Sequence, residues 1–113
     1  MLRLLPISLA ALLFCALTGC SDEPQPLQVP EERLVGVLAD LHIAEAALQA
    51  LRGKTKDSMA TVYYDQIYTL HDVDSAEVHQ SLEQLREDPQ RMKALYDRVM
   101  ERVETLSATS KQE

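Results

Sequence analysis

Three side chains with chemistry to offer lie close together in "ADLHIAE", residues 39–45: Asp40, His42 and Glu45. On a helix, residues three apart share a face, so His42 and Glu45 can form half of a divalent-metal site. His71 or His79 would have to complete it. Carboxylate-bridged bundles repeat a carboxylate–histidine motif on a second helix, and this chain has no such repeat. The residues are therefore read as a polar network, in which Asp40 and Glu45 accept hydrogen bonds from tyrosine hydroxyls of neighbouring helices. No metal and no cofactor is expected. Nucleophilic chemistry finds less support. There is no Gly-x-Ser-x-Gly turn, and Ser58 and Ser81 read as caps or surface residues. Gly53-Lys54-Thr55 resembles the tail of a phosphate-binding loop, but Leu48 stands where that loop needs glycine. No catalytic residue is assigned, and the chain is not expected to be an enzyme.

The two cysteines say where the protein works. Residues 1–19 carry one charge, Arg3, then a short apolar run and small residues. That is the pattern of a secretory signal peptide, too short for a membrane span of roughly 20 apolar residues. It ends in Leu17-Thr18-Gly19-Cys20, which resembles the bacterial lipobox. A small residue lets the protease cut just before the cysteine whose thiol carries the diacylglyceryl group. Cys15 departs with the leader and Cys20 becomes the lipidated N-terminus, so no thiol remains for a disulfide or a metal. Two or three acyl chains hold a protein firmly where one is marginal. The expected location is the cell envelope, as an outer-membrane lipoprotein on the periplasmic face or the cell surface. The acidic Ser21-Asp22-Glu23 resembles the surface-export signal of Bacteroidota lipoproteins.

Removing the leader leaves 94 of the 113 residues and, with Arg3 gone, takes the formal charge from −7 to −8. An acidic domain does not neutralise phosphates, which excludes nucleic acid. It also lacks the basic face of a helix that lies on anionic lipid, so the lipid on Cys20 alone must hold the membrane. Residues 20–30, with three prolines, read as a flexible linker. Fully extended, the ten residues after Cys20, Ser21 to Pro30, reach roughly 30 Å.

From residue 31 the apolar spacing is helical throughout. The first helix opens at Pro30-Glu31-Glu32, with acids at the positive end of its dipole. It carries Leu34, Val37, Leu41, Ala44, Leu48 and Leu51 inward and is expected to end at a left-handed Gly53. "GKTKDS" then reads as a loop. A second helix follows over 58–71 with Met59, Tyr63, Ile67 and Leu70 inward. Asp74 and Glu77 make a capping-box pattern for a third helix over 75–87, with Val78, Leu82 and Leu85 inward. Asp88-Pro89 caps and opens a fourth, running to about residue 107 with Met92, Leu95, Tyr96, Val99, Val103 and Leu106 inward. Residues 107–113 are expected to fray. The predicted fold is all-α: a small antiparallel bundle of about four helices over 31–106, joined by short connections. The chain has four tyrosines and no tryptophan, and a core this small is marginal. A homo-oligomer or a protein partner is expected to help bury it.

The second helix offers the surface for such a contact. Tyr64, Tyr68 and His71 fall on a flank about 100° from the Met59/Tyr63/Leu70 stripe. Tyrosines four apart, where exposed, make an amphipathic patch of the kind enriched at interfaces; the alternative is that this flank packs on another helix of the bundle. The preferred reading is a non-enzymatic interaction or accessory module that binds an envelope protein through a helical face. The alternative is a chaperone-like module for unfolded envelope proteins, which would need a broad apolar groove.

Three stretches taken together, "LVGVLADLHIAEAAL" (34–48), "YYDQIYTLHDVDSAEVHQSLEQL" (63–85) and "DPQRMKALYDRV" (88–99), resemble a family of short Bacteroidota proteins known as domain of unknown function 4296. The resemblance covers about residues 30–106. It implies a lipoprotein with a short linker and an all-helical domain, and it carries no catalytic residue. One departure is Asp72, where the family pattern leads us to expect glycine. Aspartate tolerates a left-handed turn better than most residues.

Overall fold

The structure is a computed structural model that describes residues 25–112. The leader, Cys20 and the acidic triplet after it lie outside the described residues. Four helices form an all-α bundle: α1 (Glu31–Leu48), α2 (Gly53–Leu70), α3 (Ser75–Arg86) and α4 (Pro89–Ser110). There is no strand among the described residues. α1 lies against both α2 and α4, and α3 lies against α4. Cross-helix pairs give the directions. Asp40 meets His71 and Glu45 meets Tyr64, so α1 and α2 are antiparallel. Glu31 meets Arg91, Glu32 meets Arg98, and Gly36 shares a groove with Arg102 and Thr105. α4 therefore runs alongside α1 in the same sense.

The capping chemistry explains most of the boundaries. Glu31 and Glu32 sit in the first turn of α1 behind an extended Pro30. The Asp74–Glu77 capping box forms at the start of α3. Asp88 accepts from Arg91 N–H at 3.1 Å, with Pro89 in the first turn of α4. At the end of α2, Asp72 takes a positive φ of 52°. Val73 N–H then reaches back to Tyr68 C=O at 3.0 Å, and Asp72 N–H to Thr69 C=O at 3.2 Å. This pair of closing bonds suits a left-handed residue just past a helix end, and Asp72 fills the position where glycine was expected. Val73, carried inward by the turn, joins the core.

Two boundaries differ from expectation. α1 stops at Leu48, and Gly53, at φ 58°, opens α2 instead of capping α1. The turn is made earlier, where Leu51 N–H bonds Leu48 C=O and Arg52 is extended. Lys54 to Ser58 carry no helix breaker once that turn is complete, so the segment read as a loop is helical. At the other end α4 continues to Ser110, past the residue where fraying was expected. There Thr105 and Thr109 hydroxyls bond the carbonyls four residues back.

The core is formed by Leu34, Val35, Val37 and Ala39 of α1, Val78 and Leu85 of α3, Leu95 and Val99 of α4, with Val73 and Val29. Val29 belongs to the segment read as a flexible linker. From Gln25 onward that segment is a docked strap. Gln25 C=O accepts from Arg91 Nη1 at 2.9 Å, Pro26 C=O from Gln84 Nε2 at 3.3 Å, and Val29 N–H donates to Ser81 Oγ at 3.0 Å. Leu27 and Val29 supply the apolar contacts that a free linker would lack. Ser81 is likewise not a surface residue or cap: it is fully buried. Its hydroxyl donates to Glu77 C=O at 2.8 Å and accepts from the strap, so both of its roles are used inside the protein.

Ser81→Ala leaves the buried Val29 N–H without a partner, which costs about 1–3 kcal/mol. Denaturant unfolding should show that loss, and amide exchange at Val29 should accelerate well beyond exchange in α4.

Candidate functional site

The chemistry-bearing residues are distributed along the α1/α2 hairpin and do not converge. Asp40 Oδ2 lies 2.6 Å from His71 Nε2, both partly buried. The His71 ring is set against Gly36: a Cβ added there would come within 2.9 Å of Cε1. A glycine inside a helix costs about 1 kcal/mol relative to alanine. Here it opens the space that lets the histidine of one helix lie flat on the next and reach Asp40. One turn and more further along, Tyr64 OH makes a long, 3.5 Å contact with Glu45 Oε1. Burial of the Tyr64 ring raises its hydroxyl above the ordinary 10.0, and the charge and hydrogen bond of Glu45, with Tyr68 beside it, push the same way. His42 is exposed and His79 faces Glu83 on its own helix at 3.7 Å. Among the described residues, no group of three or more His, Cys, Asp or Glu is placed to hold a metal ion.

The network thus has one of the tyrosine bonds expected of it. Glu45 takes Tyr64, whereas Asp40 takes a histidine. The Tyr64/Tyr68/His71 flank faces α1, with Tyr68 against the core. Of the stripe expected inward, Ile67 packs against the core, Met59 and Tyr63 are half-buried, and Leu70 turns out to solvent. Leu70 is 76% exposed, and no residue of α2 is fully buried. The expectation failed because the two faces of α2 are nearly equal in apolar content. The tyrosine flank wins since only it can give α1 both an apolar body and polar tips that reach Asp40 and Glu45. Tyr96 on α4 is also exposed, contrary to the inward position expected of it.

Turning α2 this way opens a groove of about 420 Å³ along the hairpin. Ile43, Ala44 and Ala47 form the α1 wall and Tyr63, Ile67 and Leu70 the α2 wall, with Asp40 and Gln66 at its edge. Ile43 is 38% exposed and Val62, on the adjoining rim, 45%. Small residues on one wall and branched or aromatic ones on the other, at helical spacing, suit a third helix. The sequence signal for this wall is Ile43 and Ala47, apolar residues outside the main α1 stripe. A second, polar groove lies between α1, α4 and His71, where Arg98 is already paired with Glu31 and Glu32. No helix of the described residues is long and apolar enough to cross a membrane.

The fold and these surfaces define a small all-helical bundle with an open apolar hairpin face. Its sequence matches the family described as Domain of unknown function (DUF4296) over residues 26–109, and the chain belongs to that family. The match includes the strap from Pro26 onward. No curated protein and no solved structure matches the chain.

Gly36→Ala forces the His71 ring off Asp40, and should destabilise the protein by about 1–3 kcal/mol. In a His71→Ala background the same change should become neutral or stabilising, because only helix propensity remains. A double-mutant cycle in urea reads the difference. In alkaline solution, Tyr64 should titrate above the ordinary tyrosine value, and Glu45→Gln should lower its midpoint in an ultraviolet absorbance titration. A raised folded value means that this contribution to stability is complete below pH 10 and is lost as pH rises through the folded value.

Proposed function

We propose that this chain is a lipid-anchored cell-envelope protein that acts as a non-enzymatic helical docking module. The observation that carries the docking half is the groove of the α1/α2 hairpin, an apolar surface between two packed helices that is left open to solvent. At about 420 Å³ it is a defined groove between two helices and not a broad apolar cradle, which favours an adaptor or accessory role over a chaperone for unfolded proteins. Its lining offers Asp40 as its one charge, so the partner is a protein helix and not a polyanion or a cation.

The anchoring half is supported by the sequence around Cys20 and by the resemblance to Bacteroidota lipoproteins. In this reading Cys20 carries a diacylglyceryl group and palmitate, and the protein sits in the outer membrane on its periplasmic face or at the cell surface. The docked strap changes the geometry of such a tether. With Gln25 held by Arg91, the arm from Cys20 is at most about 17 Å long. The junction of α3 and α4 would then lie near the lipid, and the groove would be presented at a restricted height.

In its native envelope the full chain should incorporate labelled palmitate and fractionate with the membrane, and Cys20→Ala should abolish both. A photo-crosslinker at Leu70 should give discrete adducts that one at the exposed Glu87 does not. Equal labelling at both positions, or none at Leu70, would exclude a docking role for the groove.

A further inference from the structure

The strap is fastened at both ends by one side chain. The Arg91 guanidinium donates from Nη1 to Gln25 C=O at 2.9 Å and from Nε to the Glu31 carboxylate at 2.6 Å. Gln25 opens the strap and Glu31 is the first residue of α1. The rigid fork of donors therefore clips the segment between them. Inside the clip the strap bonds α3 twice, through Gln84 and Ser81, and packs Leu27 and Val29 on the core.

Opening the clip strands no polar group. The Ser81 hydroxyl keeps its bond to Glu77 C=O, and Arg91 keeps Glu31. The Gln25 and Gln84 contacts lie at the surface, where water replaces them, and a released Val29 N–H is hydrated. What is lost is the burial of two apolar side chains and a few bonds that water can substitute. Such a segment opens without the rest of the bundle unfolding.

The seat of α3 depends on the strap. Among the described helices, α3 approaches only α4 closely. On its α1 side an apolar cleft of about 460 Å³ stays unfilled, between Leu38 and Leu41 of α1 and Ala76, Val78 and Leu82 of α3. The strap continues into α1, so its bonds to Ser81 and Gln84 tie α1 to the second half of α3, beyond that cleft. With the strap gone α3 keeps one close neighbour, and a helix of 12 residues that leaves its seat is marginal in water.

We propose that the strap is a latch. Arg91 holds residues 25–30 closed, and release of the strap frees α3 with it, as one unit that opens while the α1/α2 hairpin and α4 stay folded. In a chain tethered at Cys20 the same event lengthens the arm by about 17 Å and widens the α1/α3 cleft. A pull on the tether acts on Gln25 first, so the latch gives before the bundle does. The effect on the tether rests on the lipid-anchor reading. The latch does not, and palmitate labelling at Cys20 tests the anchor without touching it.

Native-state amide exchange of the purified chain, in rising but sub-denaturing urea, tests the latch. The amides of Val29, Leu82 and Leu85 should converge on one opening, with the same free energy and the same urea slope. They should exchange about tenfold or more faster than those of Val37 in α1 and Val99 in α4. A slope between zero and that of global unfolding marks a partial opening. Val29→Asp puts a charge in the buried slot and should leave the latch standing open. Amides of α3 should then lose about tenfold or more protection relative to those of α1 and α4. Exchange of Leu82 and Leu85 together with the α4 amides, or a Val29 amide that opens alone without urea dependence, would overturn the proposal. So would a Val29→Asp chain in which α3 stays as protected as α4. If that variant does not fold, the urea series on the unaltered chain decides by itself.

Discussion

The constraint on which the bundle depends is that α1 has to serve two neighbours at once. It lies between α2 and α4, and its apolar residues are spread accordingly: Leu34, Val35, Val37 and Ala39 are all buried, a wider arc than an amphipathic surface helix requires. Gly36 adds the close approach that seats His71. With α1 shared in this way, α2 reaches the core by one flank only, and half of its surface is left to solvent. The exposed apolar face is therefore a product of the topology and not of a poorly formed helix.

What closes the other side of the bundle is short and polar at its ends. The strap occupies the junction between α3 and α4 through one buried hydroxyl and one buried valine. Glu31 and Glu32 meet Arg91 and Arg98 beside it. Ion pairs this exposed contribute about 0–1 kcal/mol each, so their main effect is to fix how α4 lies along α1. Ser81 is different in kind. In a low-dielectric interior an unpaired amide is costly, and its hydroxyl gives Val29 N–H the one partner that makes burial of the strap favourable. That makes the first residues of the domain part of the core, consistent with a family match that begins at Pro26.

Local chemistry was legible in the sequence wherever one residue type answers one backbone demand. Asp74 with Glu77, Asp88 with Pro89, and the left-handed turn at Asp72 all took the places their types suggested. The helix count and the all-α class followed from apolar periodicity. Three features were not legible, for physical reasons. Gly53 can cap the end of one helix or open the next, and only the turn at Leu51 and Arg52 decides between them. Ser81 in a helix looks the same whether solvent or a strap faces it, since its partner lies 52 residues away. The orientation of α2 could not be read because its two apolar flanks compete. The polar partners that settle it, Asp40 and Glu45, become neighbours only after the hairpin closes. The same residues were already visible as a candidate cluster; their spacing showed chemistry worth watching but not which helix would answer it.

The rotation of α2 has an energetic meaning for function. Burying a leucine fully stabilises a fold by roughly 1.5–3 kcal/mol, a large share of the net stability of a domain this small. A chain free to turn Leu70 and Val62 inward would gain that stabilisation, yet here they stay outside while the half-buried flank of Tyr64 and Tyr68 faces α1. The loss is recovered only if the face is covered in the working state.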